Sequence, residues 1–90
     1  MLDLSYSGKF KKDSKRAVLR GRNILKLIPP VIMLLNSEPL PPRYRDHPLG
    51  GDWEGYRDFH IEDDWIVIYR IDDDCLVMER TGTHVDLFRE

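Results

Sequence analysis

The chain has 90 residues, of which 41% are hydrophobic and 33% are charged, and its net charge is −2. This composition is typical of a folded, water-soluble protein and excludes a disordered chain. We expect one domain over residues 1–90, because a chain of this length has no room for a second core. The longest apolar stretch, residues 27–35, is too short to span a bilayer and contains two prolines.

Two further features predict a cytoplasmic protein with no membrane partner. The N-terminus lacks the apolar region of a secretory signal. Cys75 is the single cysteine, so no internal disulfide can form and a reducing compartment is the simplest expectation.

The charge is distributed unevenly along the chain. Residues 9–26 hold eight basic residues and one acidic residue, a local charge of +7, whereas residues 27–90 hold six basic and fourteen acidic residues. A one-sided basic segment is typical of a surface that binds polyanions, but it is also typical of a solvated helix face. The composition alone leaves both interpretations open.

The first half of the chain predicts one strand and two helices. Leu2 to Tyr6 alternates apolar and polar residues, which favours a short strand. Ser7 is a suitable cap for a helix that ends near Gly21, and Asn23 for a second helix that runs to residue 35. Pro29-Pro30 interrupts the second helix. Either it kinks there, or a short first turn ends and a new helix begins with proline in its first turn. We favour the second arrangement.

The second half predicts a loop and three strands. The proline-rich connector, Asn36 to Pro42, continues as loop through Gly51. The three strands are predicted at Trp53 to His60, Asp64 to Ile71 and Cys75 to Thr81. A turn or short helix follows around residues 84–88. The order β-α-α-β-β-β predicts an α+β fold with a mostly antiparallel sheet and a helical hairpin packed on one face.

The short loops between these strands suggest a register and two faces. In that register His60 pairs with Asp64, and Ile66 pairs with both Asp58 and Arg80. Asp58, His60, Asp64 and Arg80 then share one face, and His84 lies at the same end of the sheet. The opposite face, expected under the helices, comprises Trp53, Phe59, Trp65, Val67, Tyr69, Ile71, Cys75 and Val77.

The polar face predicts proton-transfer chemistry on RNA. Each of the three histidines, His47, His60 and His84, lies in a different segment with a carboxylate or arginine close by. In RNA cleavage the 2′-hydroxyl of the substrate attacks the neighbouring phosphate. The protein then needs only a base, an acid and a cation, which this set of side chains provides without a serine or cysteine nucleophile.

Simpler interpretations exist for the same residues. Asp58 with Arg80 could form an ordinary cross-strand ion pair, Asp64 could close a turn, and His47 could be a loop residue. Phe88 could anchor the C-terminus or stack on a base. The sequence lacks the HxH and HExxH spacings of metal sites, so we expect neither a metal nor a cofactor.

Three motifs resemble a known toxin family. Residues 45–49 (RDHPL), residues 55–60 (GYRDFH) and residues 79–84 (ERTGTH), the last followed by Leu87-Phe88, are similar to the YafQ branch of the RelE/ParE toxin superfamily. The resemblance is strong over residues 40–88 and extends more loosely to the lysine-rich N-terminal helix. Members of this branch are toxins of type II toxin–antitoxin pairs that enter the ribosomal A site and cut mRNA there.

The resemblance implies roles for individual residues. It makes His84 the leading acid/base residue, with His47, His60 and Asp64 sharing or positioning the proton transfer. It also implies that Arg80 stabilises the phosphate. Asp58 and Phe88 would lie in or beside the RNA site, with Phe88 stacking on a base. The helix residues implied to face ribosomal RNA are Lys9, Lys11, Lys12, Lys15 and Arg16.

The resemblance also implies partners. A cognate antitoxin of the DinJ/RelB type would neutralise the toxin and repress the shared operon, so that operator DNA is reached only through the antitoxin. Two alternatives remain open from the sequence. One is a ParE-like toxin that binds DNA gyrase without nuclease chemistry, and the other is a degenerate toxin that acts only as an antitoxin-binding corepressor.

Overall fold

The structure is a computed structural model that describes residues 1–89. Its strands are β1 (Asp3–Tyr6), β2 (His47–Pro48), β3 (Arg57–Glu62), β4 (Trp65–Asp72) and β5 (Cys75–Gly82). Its α-helices are α1 (Gly8–Leu19), α2 (Ile28–Leu35) and α3 (His84–Phe88). Short 3₁₀ turns occupy Ile24–Leu27, Pro42–Tyr44 and Gly51–Trp53.

All five strands form one sheet in the order β1-β5-β4-β3-β2. β1 runs parallel to β5, and the other neighbouring pairs are antiparallel. Residues from α1, α2 and the 3₁₀ turn between them pack on one face of the sheet, where they enclose the larger hydrophobic cluster. The predicted α+β fold with a mostly antiparallel sheet is therefore confirmed.

Helix α1 begins where the sequence predicts. The Ser7 hydroxyl oxygen accepts a hydrogen bond from the Phe10 amide (2.9 Å) and donates one to the Glu79 carbonyl (2.6 Å). One side chain thus satisfies a free amide at the helix start and fixes that start to β5. The helix ends at Leu19, Arg20 is its C-terminal cap, and Gly21 follows in the left-handed region with φ of 88°.

The two prolines start a new helix, as the favoured interpretation predicts. Asn23 caps the 3₁₀ turn by accepting a hydrogen bond from the Leu25 amide. α2 then begins at Ile28, with Pro29 and Pro30 in its first turn. Proline is tolerated there because the first amides of a helix have no intrahelical acceptor. Pro29-Pro30 therefore separates two helical segments and does not break one.

The loop and strand boundaries need three corrections. His47-Pro48, predicted as loop, forms a short strand that pairs with Arg57-Asp58 of β3. Trp53, predicted to start a strand, lies in a 3₁₀ turn. The β3–β4 connection is a two-residue turn at Asp63-Asp64, because Glu62 pairs directly with Trp65.

The predicted register is wrong by two residues. His60 pairs with Ile66, and Ile68 pairs with both Asp58 and Arg80. Within β3 and β4, a shift of two residues keeps the side chains on their predicted faces, because side chains alternate with a period of two. Asp58 and His60 therefore do share the face opposite the helices, and Phe59, Trp65, Val67 and Tyr69 lie in the helix-side cluster as predicted.

A bulge in β5 reverses the prediction for part of that strand. Arg80 pairs with Ile68 and Met78 pairs with Tyr69, which leaves Glu79 as an extra residue. Beyond the bulge the alternation changes, so Leu76 and Met78 lie under the helices in place of the predicted Cys75 and Val77. Trp53 also leaves the predicted face and packs on the other side of the sheet. Ile71 keeps its predicted face, since it pairs with Leu76, but it is 51% exposed near the end of β4.

A smaller hydrophobic cluster lies on the face opposite α1 and α2. Ile66 and Ile68 of β4 pack there with Leu87 of α3, and Leu49, Trp53, Tyr56 and Phe88 surround them. Through this cluster, the loop that carries Leu49, Trp53 and Tyr56 packs on the same side of the sheet as α3. Within residues 1–89, no helix is long and apolar enough to cross a bilayer.

Thr81 links the ends of β4 and β5 through a buried hydroxyl. Its oxygen accepts a hydrogen bond from the Trp65 indole (2.9 Å) and donates one to the Ile66 carbonyl (2.9 Å). Thr81 is 1% exposed, so water cannot replace either bond. The hydroxyl therefore fixes the C-terminal end of β5 to the start of β4, close to α3 and His84.

We predict that Thr81→Val lowers the free energy of unfolding by about 1 to 3 kcal/mol, because it leaves the buried Trp65 N–H without an acceptor. Denaturant unfolding followed by Trp fluorescence measures this change. Thr81→Ser keeps the hydroxyl and is the control, for which we expect a smaller loss. Equal losses in the two variants would show that the hydroxyl contributes nothing.

Candidate active site

The three histidines line one cleft of about 330 Å³ on the face opposite α1 and α2. The residues that line this histidine cleft are His47, Leu49, Gly50, Trp53, Asp58, His60, His84 and Phe88. The rings of His60 and His84 are 5.6 Å apart, and the Phe88 ring lies 6.2 Å from His84. The structure thus brings His47, His60 and His84, which come from separate segments, to one cleft.

His47 reaches the cleft because β2 pairs with β3. Its position opposite Asp58 places its Nδ1 atom 3.1 Å from Asp58 Oδ1, while Nδ1 donates a hydrogen bond to the Arg45 carbonyl (2.7 Å). The preceding residue, Asp46, is held by the Tyr69 hydroxyl (2.6 Å) and by Arg57 Nε (3.2 Å). These contacts hold the segment before His47 against the sheet. They use Asp46 and the Nδ1 atom of His47, and none of them involves His47 Nε2.

Asp58 and His60 form the buried floor of the cleft. Asp58 is 3% exposed and His60 is 8% exposed. His60 Nε2 lies 4.0 Å from Asp58 Oδ1. Among the described residues, neither Asp58 Oδ1 nor His60 Nδ1 has a well-aligned hydrogen-bond partner. Burial raises the pKa of Asp58, and the neighbouring charges of the three histidines oppose this rise.

His84 is held by Asp64 at the outer edge of the cleft. One oxygen, Asp64 Oδ1, accepts hydrogen bonds from the His84 amide (2.9 Å) and from His84 Nδ1 (2.8 Å). The backbone bond first, and then the ring bond, lower the pKa of Asp64. Because Nδ1 donates to a carboxylate, Nε2 of His84 is left free to accept or donate a proton.

Asp64 therefore pairs with a different histidine than the register predicted. The sequence placed it beside His60 on a strand, whereas it lies in the β3–β4 turn and contacts His84. Its backbone position in that turn lets the carboxylate reach the start of α3. The simpler interpretation, in which Asp64 only closes a turn, does not account for these contacts. The outcome is a histidine–carboxylate pair that faces solvent, with His84 45% and Asp64 59% exposed.

Arg80 is not brought together with the histidines. Its guanidinium binds Asp13 of α1 through Nε (2.6 Å) and Nη2 (3.2 Å), and Arg80 does not line the histidine cleft. Asp13 is 6% exposed, and a buried carboxylate needs such a cation. The cross-strand ion pair between Asp58 and Arg80 also does not form within the described residues.

The basic helix lies on the other face of the sheet from the cleft. Lys9, Lys11, Lys12 and Lys15 are exposed on α1, and within residues 1–89 none of them has a carboxylate within 4 Å. Arg16 differs, because its guanidinium is 3.1 Å from Asp13 and 3.6 Å from Asp86. The helix thus offers a lysine surface, while Arg16 is turned toward the protein.

Sequence reasoning missed several contributors to the cleft, among them Leu49 and Gly50, which line it. Trp53 lines it and packs edge-on against Tyr56, with ring centroids 5.2 Å apart. Asp46 anchors the segment before His47. The double glycine at residues 50–51 and the adjacency of Asp46 to His47 were the available signals. No group of three or more His, Cys, Asp or Glu side chains within residues 1–89 is arranged to hold a metal ion.

We predict that Asp58→Asn raises the thermal midpoint by a few degrees at about pH 8, although it removes a polar contact of the cleft. The raised pKa of Asp58 means that the folded state keeps a proton which the unfolded chain has released. Stability therefore falls as pH rises through that window, and the penalty is complete above it. Asparagine carries no charge and avoids this penalty.

The gain should disappear below the ordinary range of an aspartate pKa, about pH 4. Thermal scans across pH measure it. Asp63→Asn is the matched control, because the Asp63 side chain is 99% exposed and should leave the midpoint unchanged. A lower midpoint for Asp58→Asn at about pH 8 would contradict the assigned pKa direction.

Comparison with known proteins identifies the family. The family model described as the bacterial toxin of type II toxin–antitoxin system, YafQ, matches residues 2–89. The mRNA interferase toxin YafQ of Escherichia coli K12 is 51% identical over 87 residues, which are 96% of this chain and 95% of that protein.

Solved structures agree with this match. A copper-bound mutant toxin from Helicobacter pylori superimposes with a TM-score of 0.94 at 36% identity, over 98% of this chain and 100% of its own. The toxin in the Escherichia coli DinJ–YafQ complex superimposes with a TM-score of 0.88 at 49% identity, over 98% of this chain and 99% of its own. With this fold and this sequence match, the chain belongs to the YafQ family of toxins of bacterial type II toxin–antitoxin systems.

Proposed function

We propose that this chain is an mRNA interferase that cuts mRNA in the ribosomal A site by acid/base catalysis. The observation that carries the proposal is the histidine cleft, in which Asp64 fixes His84 with its Nε2 atom free. The relative that is 51% identical bears the name mRNA interferase toxin, which supports the same activity here.

The proposed reaction is an internal transfer within RNA. A base takes the proton of the 2′-hydroxyl, and the 2′-oxygen then forms a bond to the adjacent phosphorus. The bond from phosphorus to the 5′-oxygen breaks, and an acid protonates that oxygen. The products are a 2′,3′-cyclic phosphate, which water can open to a 3′-phosphate, and a 5′-hydroxyl end. No bound metal or cofactor is required for any of these transfers.

His84 is the leading acid/base residue in this scheme. Its Nδ1 is occupied by Asp64, so proton exchange with the substrate takes place at Nε2. Hydrogen bonds from His84 lower the pKa of Asp64, so its carboxylate is an acceptor that fixes the orientation of the His84 ring. His60, whose ring centroid is 5.6 Å from that of His84, and His47 across Asp58 provide the second proton-transfer group.

The cation that meets the phosphate needs revision. Arg80 was assigned this role by resemblance, but two hydrogen bonds from its guanidinium go to Asp13. Binding phosphate directly would take the Arg80 guanidinium away from the buried Asp13 carboxylate, which would keep Arg16 as its one nearby cation among the described residues. We propose that histidine N–H groups of the cleft donate hydrogen bonds to the developing charge, and that Arg80 supports the end of β5. Phe88 beside His84 remains the proposed platform for a base.

Ribosome dependence is part of the proposal, and α1 supports it. The four exposed lysines, Lys9, Lys11, Lys12 and Lys15, lie on the face of the sheet opposite the cleft. They therefore contact a different nucleic acid segment from the one being cut. Ribosomal RNA around the A site is a polyanion large enough to meet both faces.

The proposed antitoxin partner, of the DinJ/RelB type, has a fitting surface. An apolar groove of about 470 Å³ lies between β1, α1 and α2, and its rim includes Leu25, Ile28 and Ile32, which are 64%, 49% and 50% exposed. Such an exposed apolar patch is typical of a protein-binding surface. The solved DinJ–YafQ complex shows a relative with a protein partner, which supports this assignment. Operator DNA is then reached only through the antitoxin.

We predict that His84→Ala lowers the rate of ribosome-dependent mRNA cleavage by about 10²- to 10⁴-fold, the usual contribution of an acid/base group. Asp64→Asn should lower it by about 10-fold or more, because the amide can face His84 with its NH₂ group. Cleavage is measured by primer extension in a reconstituted translation reaction, with naked mRNA as a second condition.

Asp63→Asn, one residue from Asp64 and fully solvated, is the matched control and should cleave like the wild type. Cleavage of naked mRNA at an equal rate would refute ribosome dependence. An inactive wild type that still binds its antitoxin would support the corepressor alternative.

We predict that Leu25→Glu weakens antitoxin binding by about 10-fold or more, because it places a charge in the apolar groove. Leu25 is exposed, so the fold should tolerate the change. Isothermal titration calorimetry gives the affinity. Ile71→Glu is the matched control, since Ile71 is 51% exposed and lies outside the groove. Equal weakening by both variants would exclude the groove as the binding surface.

A further inference from the structure

Arg22 holds the turn that carries Asp64. Its Nη2 donates to the Asp64 carbonyl (3.1 Å), and its Nη1 binds Glu62 Oε1 (3.1 Å). The same guanidinium lies 5.2 Å from the centre of the buried Trp65 ring. Arg22 therefore contacts both sides of the β3–β4 turn at once. These contacts fix the backbone from which the Asp64 carboxylate extends.

Arg20 holds the helix that carries His84. Its Nη1 binds Asp86 Oδ2 at 2.7 Å, and that same oxygen accepts a hydrogen bond from the Thr83 amide (3.0 Å). The Thr83 hydroxyl accepts in return from the Asp86 amide (3.1 Å), which completes a capping box. The Arg20 guanidinium thus binds the carboxylate that starts α3, two residues after His84.

The backbone between the two arginines allows them to diverge. Gly21 has a φ of 88°, a left-handed conformation that a side chain would strain. Arg20 ends α1 and reaches α3, while Arg22 lies beyond the turn and reaches the β3–β4 hairpin. Gly82 shows how closely α3 packs here, because an added Cβ would lie 2.9 Å from Asp86 Cβ.

We propose that Arg20 and Arg22 act as an arginine pair that positions the two halves of the acid/base pair, His84 and Asp64. Neither arginine lines the histidine cleft, so both are positioning residues rather than catalytic ones. The inference rests on the proposed function, because the geometry they maintain matters for proton transfer at His84.

The exposed acid/base pair needs such support. α3 has five residues, and a helix that short is not stable by itself. Asp64 lies in a two-residue turn and is 59% exposed, so few packing contacts restrain it. Misplacement of reacting groups by about 1 Å can lower a rate by up to about 10²-fold. Arg20 and Arg22 restrain each half from the same end of α1.

The test compares Arg20→Gln and Arg22→Gln with Lys26→Gln. Lys26 is the matched control, because it binds Glu62 Oε2 (2.9 Å) but is not hydrogen-bonded to Asp64 or Asp86. The first readout is amide hydrogen exchange at His84, whose N–H donates to Asp64 Oδ1. We expect exchange to rise by about 10-fold in both arginine variants and to stay unchanged in Lys26→Gln.

The second readout is the kinetics of ribosome-dependent cleavage. We expect kcat to fall by about 10-fold in each arginine variant with KM unchanged, since the arginines position reacting groups and do not bind RNA. Arg20→Lys, which keeps a cation near Asp86, should recover part of the loss. Lys26→Gln should leave kcat unchanged.

Unchanged exchange at His84 in both arginine variants would overturn the proposal whatever the activity. Faster exchange with an unaltered kcat would also overturn it, because the arginines would then have only a structural role. An equal fall in kcat in Lys26→Gln would also overturn the proposal, because the effect would then come from the loss of any positive charge and not from the contacts of Arg20 and Arg22. If the wild type cuts no mRNA, the proposed function fails, and hydrogen exchange still decides whether the arginines hold the His84–Asp64 contact.

Discussion

The ion pair between buried Asp13 and Arg80 is the interaction on which the end of the molecule that carries the histidine cleft depends. The Asp13 carboxylate accepts two hydrogen bonds from Arg80 and one from the Thr81 amide. These bonds join helix α1 to the C-terminal end of β5. Thr81 in turn holds the Trp65 indole, and the chain then passes through Gly82 and Thr83 into α3. The buried Asp13 carboxylate therefore helps to fix the backbone at the end of β5, from which the chain continues to His84.

Two carboxylates, one lining the cleft and one at its outer edge, have pKa values displaced in opposite directions. Asp58 is buried and its pKa is raised, whereas Asp64 is exposed and hydrogen bonds from His84 lower its pKa. Burial penalises the charged form, and hydrogen bonds to a carboxylate favour it. The two carboxylates therefore sit in different environments: Asp58 is buried beside His47 and His60, whereas Asp64 is exposed and holds His84.

The sheet separates two surfaces with different chemistry. One face presents histidines and aromatic rings around a polar cleft, and the other presents lysines and an apolar groove on the helices. α1 contributes to both, because Asp13, Arg16 and Arg20 follow one another at helical spacing along a stripe that faces the end of β5 and α3. Helix α1 therefore exposes its lysines on one side and, through Asp13 and Arg20 on the other, contacts β5 and α3.

The sequence by itself determined the family, the α+β fold and the Ser7 cap of α1, because motif spacing, hydrophobic period and capping residues are local properties. Only the tertiary structure decided which partners meet. The β5 bulge and the two-residue β3–β4 turn place Asp64 beside His84. Arg80 lies outside the cleft because its guanidinium binds the buried Asp13 carboxylate. Register and ion pairing depend on contacts between residues far apart in the chain, which no local pattern contains.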